Sequence, residues 1–196
     1  MTAKHGLSSM LIAAALLGTS LSSSPAWADA TLRINQVGDL SIVDPIMTTA
    51  NPTRDMAYMI WDTLFAMDAE FNVQPQMVDT YAISDDELVY TLTLRDGLKW
   101  SDGTPVTSAD CIASLSRWMA KDAMGKLLAD RLDSMTAVDD STFTLNLSEP
   151  FGMTIDVLGK AGAYVPFMMP ERLAKTPATE AITEYVGSGP FMMMMD

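Results

Sequence analysis

YTLTLRDGLKWSDGTPVTSADCIASLSRW, residues 90–118, reads as a strand, two tight turns and a capped helix. Tyr90, Leu92 and Leu94 alternate with Thr91, Thr93 and Arg95, the period of a half-buried strand. Asp96-Gly97 supplies a hairpin-type turn, and Asp102-Gly103-Thr104-Pro105 a second one. Thr107 followed by Asp110 is a capping-box pattern that predicts a helix over 108–121. Ile112, Leu115, Trp118 and Met119 then fall at helical spacing. The stretch is scaffold and holds no catalytic constellation.

Outward from it, residues 31–37 predict a strand, and 38–51 an irregular loop. Asn51 is placed as a cap with Pro52 at the first helical position. An apolar helical stripe follows through Met56, Met59, Ile60, Leu64 and Phe65. Residues 71–76 cross to a strand near 80–83, and 84–87 turn into the strand at Tyr90. A short helix over 123–132 precedes a hairpin, 135–138 with 142–147, around Asp139-Asp140-Ser141. Helices over 151–159 and 166–174 and a last strand over 186–191 complete the order. Mixed strands and helices without a βαβ repeat predict an α+β (mixed α/β) fold.

The amino terminus has the pattern of an export signal. Lys4 is followed by eight apolar residues at 10–17, the break Ser22-Ser23-Ser24-Pro25, and the small-x-small site Ala26-Trp27-Ala28. Cleavage after Ala28 is expected, with Ala30 as the second choice. Eight apolar residues are far short of the ~20 that span a bilayer, so a periplasmic, non-spanning chain is expected. Cleavage also removes His5, the only histidine. A Ser-His-Asp or Cys-His nucleophile and an imidazole-ligated metal are then impossible. Twelve basic against 25 acidic residues give a charge of -13, which argues against nucleic acid or anionic membrane as partners.

Four features admit two readings each. Cys111, the single cysteine, is a small buried hydrophobe or a reactive, dimer-forming thiol. Asp85-Asp86-Glu87 and Asp139-Asp140 are solvated turn residues or paired carboxylates for acid/base or calcium chemistry. Gly187-Ser188-Gly189-Pro190 is a chain-crossing turn; it lacks the endings of a phosphate loop or nucleophile elbow. The 17 methionines, with runs at 168–169 and 192–195, are core packing or a soft Cu(I) site.

The 90–118 module closely resembles the signature region of the family 5 extracellular solute-binding proteins. Those are the periplasmic receptors of peptide and nickel ABC transporters. Asp44-Pro45 is similar to the family's "slDP" loop, and YMIWDTLF at 58–65 to its "y-e-L" helix. VQPQMV at 73–78 resembles "v-P-L-A", MPERLA at 169–174 "mPk--la", and Gly187-Ser188-Gly189-Pro190-Phe191 the GTGPY/F turn. The four methionines after that turn depart from the pattern, which has polar and charged residues there.

The resemblance implies a periplasmic binding protein-like type II fold, with residues 29–51 and 178–196 in a large lobe and 52–177 forming an inserted smaller lobe. It implies capture of peptides or similar small solutes for an inner-membrane ABC permease, by a monomer without a cofactor. The alternatives are an exported hydrolase or a receptor for a chelated metal. Asp44, Met47, Thr48, Thr49, Lys126, Leu127 and Tyr164 are the residues it places toward ligand. Asp44 is equally a holder of a peptide amino terminus and a turn former. The motifs cover only the amino-terminal part of a longer, three-lobed family, so a fragment that binds solute weakly or not at all is expected.

Overall fold

The computed structural model describes residues 33 and 37–194. The expected signal sequence, the strand expected over 31–37 (all but Arg33 and Val37) and the last two residues lie outside the described residues. The elements are α1 (Asn51–Ile60), β1 (Phe65–Met67), β2 (Val73–Pro75), β3 (Val78–Ile83), β4 (Val89–Leu94), α2 (Ser108–Met119), α3 (Ala123–Ala129), β5 (Leu132–Ala137), β6 (Thr142–Leu147), α4 (Thr154–Leu158) and α5 (Glu171–Ala174).

β3 to β6 form one antiparallel sheet in the order β3-β4-β6-β5. Tyr90 sits opposite Leu145 and Leu92 opposite Phe143, so alternate side chains of both central strands enter the core. Thr91, Thr93, Thr142 and Thr144 take the other face, partly open to solvent. α2 lays Cys111, Leu115 and Trp118 on the apolar face, joined by Leu128, Val157 and Leu158. A second core gathers Met56, Ala57, Ile60 and Trp61 with Val165, Phe167, Met169 and Leu173. α2 stands between the two. Its Ser114 hydroxyl donates to the Met169 carbonyl (3.1 Å) and accepts from the Met169 amide (2.9 Å).

The decisive stretch folds as read. Thr107 and Asp110 form the capping box of α2. The buried Asp110 carboxylate also accepts from the Trp100 indole (3.2 Å) and the Glu171 amide (2.6 Å). One local cap therefore also ties down the second turn and the start of α5. Cys111 lies wholly buried, and desolvation first, then the charge of Asp110, push its thiol far up. Native protein should accordingly resist thiol reagents at pH 8. Labelling should occur only at the rate at which α2 opens, and fast labelling without denaturant would contradict this packing.

Several boundaries differ from expectation. Ala50, not Asn51, is the N-cap of α1, and no side chain caps it. Pro52 is tolerated throughout the first turn because the leading N–H groups lack helical partners anyway. The α1 stripe stops at Ile60; Leu64 precedes β1 and Phe65 begins it. β1 and β2 form a hairpin where only a crossing segment was expected. The helices over 151–159 and 166–174 shrink to α4 and α5. Residues 186–191 are not a strand: their polar groups bond to the end of α1 instead, and that competition also ends the helix. The Gly189 amide donates to the Ile60 carbonyl (2.8 Å) and the Phe191 amide to Met59 (2.9 Å).

Candidate functional site

Asp44-Pro45 sets the geometry where the chain comes in toward α1. The Asp44 Oδ1 accepts from the Ile46 amide (3.0 Å), a side-chain turn of the kind Asp favours. The whole carboxylate is buried and faces Arg117 on α2, also buried, in a bidentate pair of 3.2 and 2.8 Å. Arg117 donates further to the carbonyls of Thr176 (2.8 Å) and Glu180 (2.7 Å). Asp44 also accepts from the Ile182 amide (2.9 Å). One guanidinium thus clasps the incoming loop, α2 and the outgoing segment at 176–182. Both charges are fully hydrogen-bonded, the condition under which a buried pair is tolerable. No oxygen of Asp44 is left facing solvent.

The outgoing chain is fixed a second time at Gly187-Ser188-Gly189-Pro190. The Trp61 indole donates to the Val186 carbonyl (2.9 Å), the Ser188 hydroxyl to Asp62 (2.8 Å), and the Ser101 amide to the Gly187 carbonyl (2.8 Å). Both glycines lie against the Ile60 carbonyl, so the segment is a crossing turn, as expected. Asp62 passes the contact on, accepting from Gln76, whose other amide atom accepts from Thr63.

A third feature is a rim at the carboxyl end of α1. The Tyr58 hydroxyl donates to the Ala161 carbonyl (3.3 Å), and its ring packs edge-on against Phe167 at 4.9 Å. Burial holds this phenol above its ordinary pKa. Lys160 pairs with the buried Asp122, which also caps α3 through the Gly125 amide (2.8 Å). The Trp118 indole donates to the Tyr164 carbonyl (2.8 Å). The 159–164 segment is therefore pinned to α1, α2 and α3 in turn. A cavity of about 150 Å³ opens between it and β1, enough for one side chain but below the ~300 Å³ of a typical ligand pocket.

The residues the sequence singled out fall into three places. Asp44 is at the clasp. Met47, Thr48 and Thr49 lead into the amino end of α1, where the Thr48 hydroxyl accepts from the Ala50 amide (3.1 Å). Lys126 and Leu127 lie on the exposed side of α3, and Tyr164 is half-buried. The Lys160–Asp122 pair ties the 159–164 segment to the start of α3, whereas Met47–Thr49 precede the amino end of α1, a helix about 15 Å long at 1.5 Å per residue. The sequence reading missed Arg117, Asp122 and Lys160, whose partners are remote in the chain.

The carboxylate turns and the Met168-Met169 pair resolve as structure. Asp86 and Asp139 cap turns: Asp139 accepts from the Ser141 and Thr142 amides (2.8 and 2.7 Å), and Asp86 from the Ser84 hydroxyl and Leu88 amide. Those hydrogen bonds hold both carboxyls below the usual range. Met168 and Met169 are core residues; Met193 packs on the second core, while Met192 and Met194 stay exposed.

Comparison with known proteins adds a family, two relatives and two solved structures. The family described as "Bacterial extracellular solute-binding proteins, family 5 Middle" matches residues 72–194. A protein of Sinorhizobium fredii, "Probable peptide ABC transporter periplasmic-binding protein y4tO", is 44% identical over 169 residues, covering 86% of this chain and 31% of its own length. The glutathione-binding protein GsiB of Escherichia coli is 28% identical, covering 89% of this chain and 34% of its own. Among solved structures, AgaA of A. tumefaciens R10 with agropinic acid superposes at TM-score 0.65 and 28% identity, over 79% of this chain and 31% of AgaA. AppA of Bacillus subtilis with a nonapeptide gives 0.65 at 21%, over 80% and 32%. The chain spans about a third of the length of these relatives.

Proposed function

The chain belongs to the bacterial extracellular solute-binding proteins, family 5, and from that premise we propose that it captures peptides in the periplasm for an ABC importer. Its fold is the mixed α/β fold of the type II periplasmic binding proteins. The observation that carries the reading is the 44% identity to a probable peptide-binding relative, sustained over 169 residues. The protein acts by binding and release to an inner-membrane permease, as a monomer without a cofactor, after cleavage of its signal near Ala28 or Ala30.

Residues 52–177 form the inserted lobe, flanked by large-lobe segments at 29–51 and 178–196. Met47, Thr48 and Thr49 on one side, and Lys126, Leu127 and Tyr164 on the other, face the solute. Asp44 does not face the solute, because its carboxylate is consumed by Arg117 and two amides. Solute recognition then rests on backbone and on exposed or half-buried side chains, which suits ligands of varied sequence.

The test uses the full-length protein. Peptides should co-purify with it and be identified by mass spectrometry. A peptide at 100 times its Kd should stabilise it by about 2.7 kcal/mol. Absence of any retained solute, together with no thermal shift across a di- to pentapeptide library, would remove the peptide assignment. Residues 29–196 expressed alone, lacking two thirds of the relatives' length, should give no saturable heat with the same peptides.

A further inference from the structure

The β1–β2 hairpin ends in Ala69-Glu70-Phe71, and Phe71 is at odds with folding alone. Its φ is 64°, the left-handed region that favours glycine or asparagine and strains an aromatic residue. Its ring is 81% exposed, so no burial offsets that strain. The tip is nevertheless rigidly built. Asp68 Oδ1 accepts from the amides of Glu70 (3.0 Å) and Asn72 (2.8 Å), and Oδ2 from the Gln74 side chain (2.9 Å). The Asp68 amide donates to the Asn72 carbonyl (2.9 Å), and the Phe71 amide to Asp68 (3.1 Å). A large ring carried on a fixed backbone has only its own side-chain rotation to lose on meeting a partner, the property of a binding anchor.

The hairpin stands beside the 159–164 rim. Val73 of β2 packs so closely on Gly159 that a Cβ there would lie 2.4 Å from its Cγ1. Ala66 and Met67 of β1 share the small cavity with Lys160 and Ala161, and Met67 and Tyr58 add 40% and 39% exposed apolar surface. A solute handed to a permease without escaping must leave where the two proteins surround the mouth of the site, so surfaces next to that rim are the ones that dock. Exposed Glu70 next to the ring, with Asp68 behind it, fixes the partner's charge. We propose that Phe71 is a docking knob that enters an apolar, basic-rimmed pocket on the periplasmic face of the importer's membrane permease. This rests on the solute-binding function proposed above.

The experiment uses full-length receptor with its cognate permease and ATPase in proteoliposomes. Phe71→Gly should raise the melting temperature, leave peptide Kd unchanged, and raise the receptor concentration for half-maximal ATPase stimulation at least tenfold. Phe71→Asn should behave alike, and Phe71→Trp should retain stimulation. Unchanged stimulation by Phe71→Gly overturns the proposal while leaving the solute-binding reading intact. A wild-type receptor that binds no peptide and stimulates nothing overturns both. A wild-type dimer in light scattering that Phe71→Gly turns into a monomer assigns the knob to a second copy and overturns the permease assignment.

Discussion

Arg117→Met is expected to destabilise the protein by about 3–5 kcal/mol, the range for removing one partner of a buried ion pair. The loss is large because methionine fills the volume but supplies none of the four donor contacts. Asp44 would keep its charge in the core with only the Ile46 and Ile182 amides to hold it, and the Thr176 and Glu180 carbonyls would lose their donor. Arg117→Lys should recover little, since a single ammonium cannot reproduce a planar fork spread over a carboxylate and two carbonyls. Asp44→Leu combined with Arg117→Met should regain part of the loss, because it removes the orphaned charge. Urea unfolding measures all three. A cost below about 1 kcal/mol for Arg117→Met, within the range of exposed pairs, would mean that the clasp holds nothing. Proteolysis gives a second readout: residues 176–182 should become the first cleavage site.

What was legible in the sequence was what short-range chemistry decides. Thr107 and Asp110 sit three residues apart, so their capping box could be read before α2 was seen. Asp139 and Ser141 announce the β5–β6 hairpin in the same way, and the 90–94 alternation fixes which face of β4 is buried. β1 and β2 escaped because three residues are too few to show a period. The end of α1 escaped for a different reason: Ile60 and Met59 give their carbonyls to residues about 130 positions later, and nothing local marks that competition. The site was less legible than the fold for the same cause. Asp44 admitted two readings, turn former or amine holder, and the turn is present. What fills its remaining valence is an arginine 73 residues away. Lys160 and Asp122, 38 apart, gave no sign of each other. Long-range pairing is written in the fold, and only the periodic and capped pieces can be read one window at a time.

The crossing turn yields the second large effect. Gly187→Ala should destabilise by about 4–6 kcal/mol, although alanine is the smallest change available. A Cβ at 187 would lie 1.9 Å from the Ile60 carbonyl oxygen and 2.7 Å from its carbon, and backbone cannot swing aside as a side chain does. The chain must retreat from α1. Retreat breaks the Gly189–Ile60, Trp61–Val186 and Ser101–Gly187 hydrogen bonds, each worth about 1 kcal/mol, on top of the ~1–3 kcal/mol typical of overpacking. Gly162→Ala is the control, since nothing lies within 4 Å of its Cβ position, and it should be neutral to within about 0.5 kcal/mol. The mechanism has its own reporter besides stability. The Trp61 indole N–H, hydrogen-bonded in the wild type, should shift toward its solvent-exposed NMR position in Gly187→Ala and stay put in Gly162→Ala. Equal stabilities for the two variants, with the indole resonance unmoved, would show that the outgoing segment does not depend on its seat against α1. The two-point fixation of residues 176–191 would then reduce to the Arg117 clasp alone.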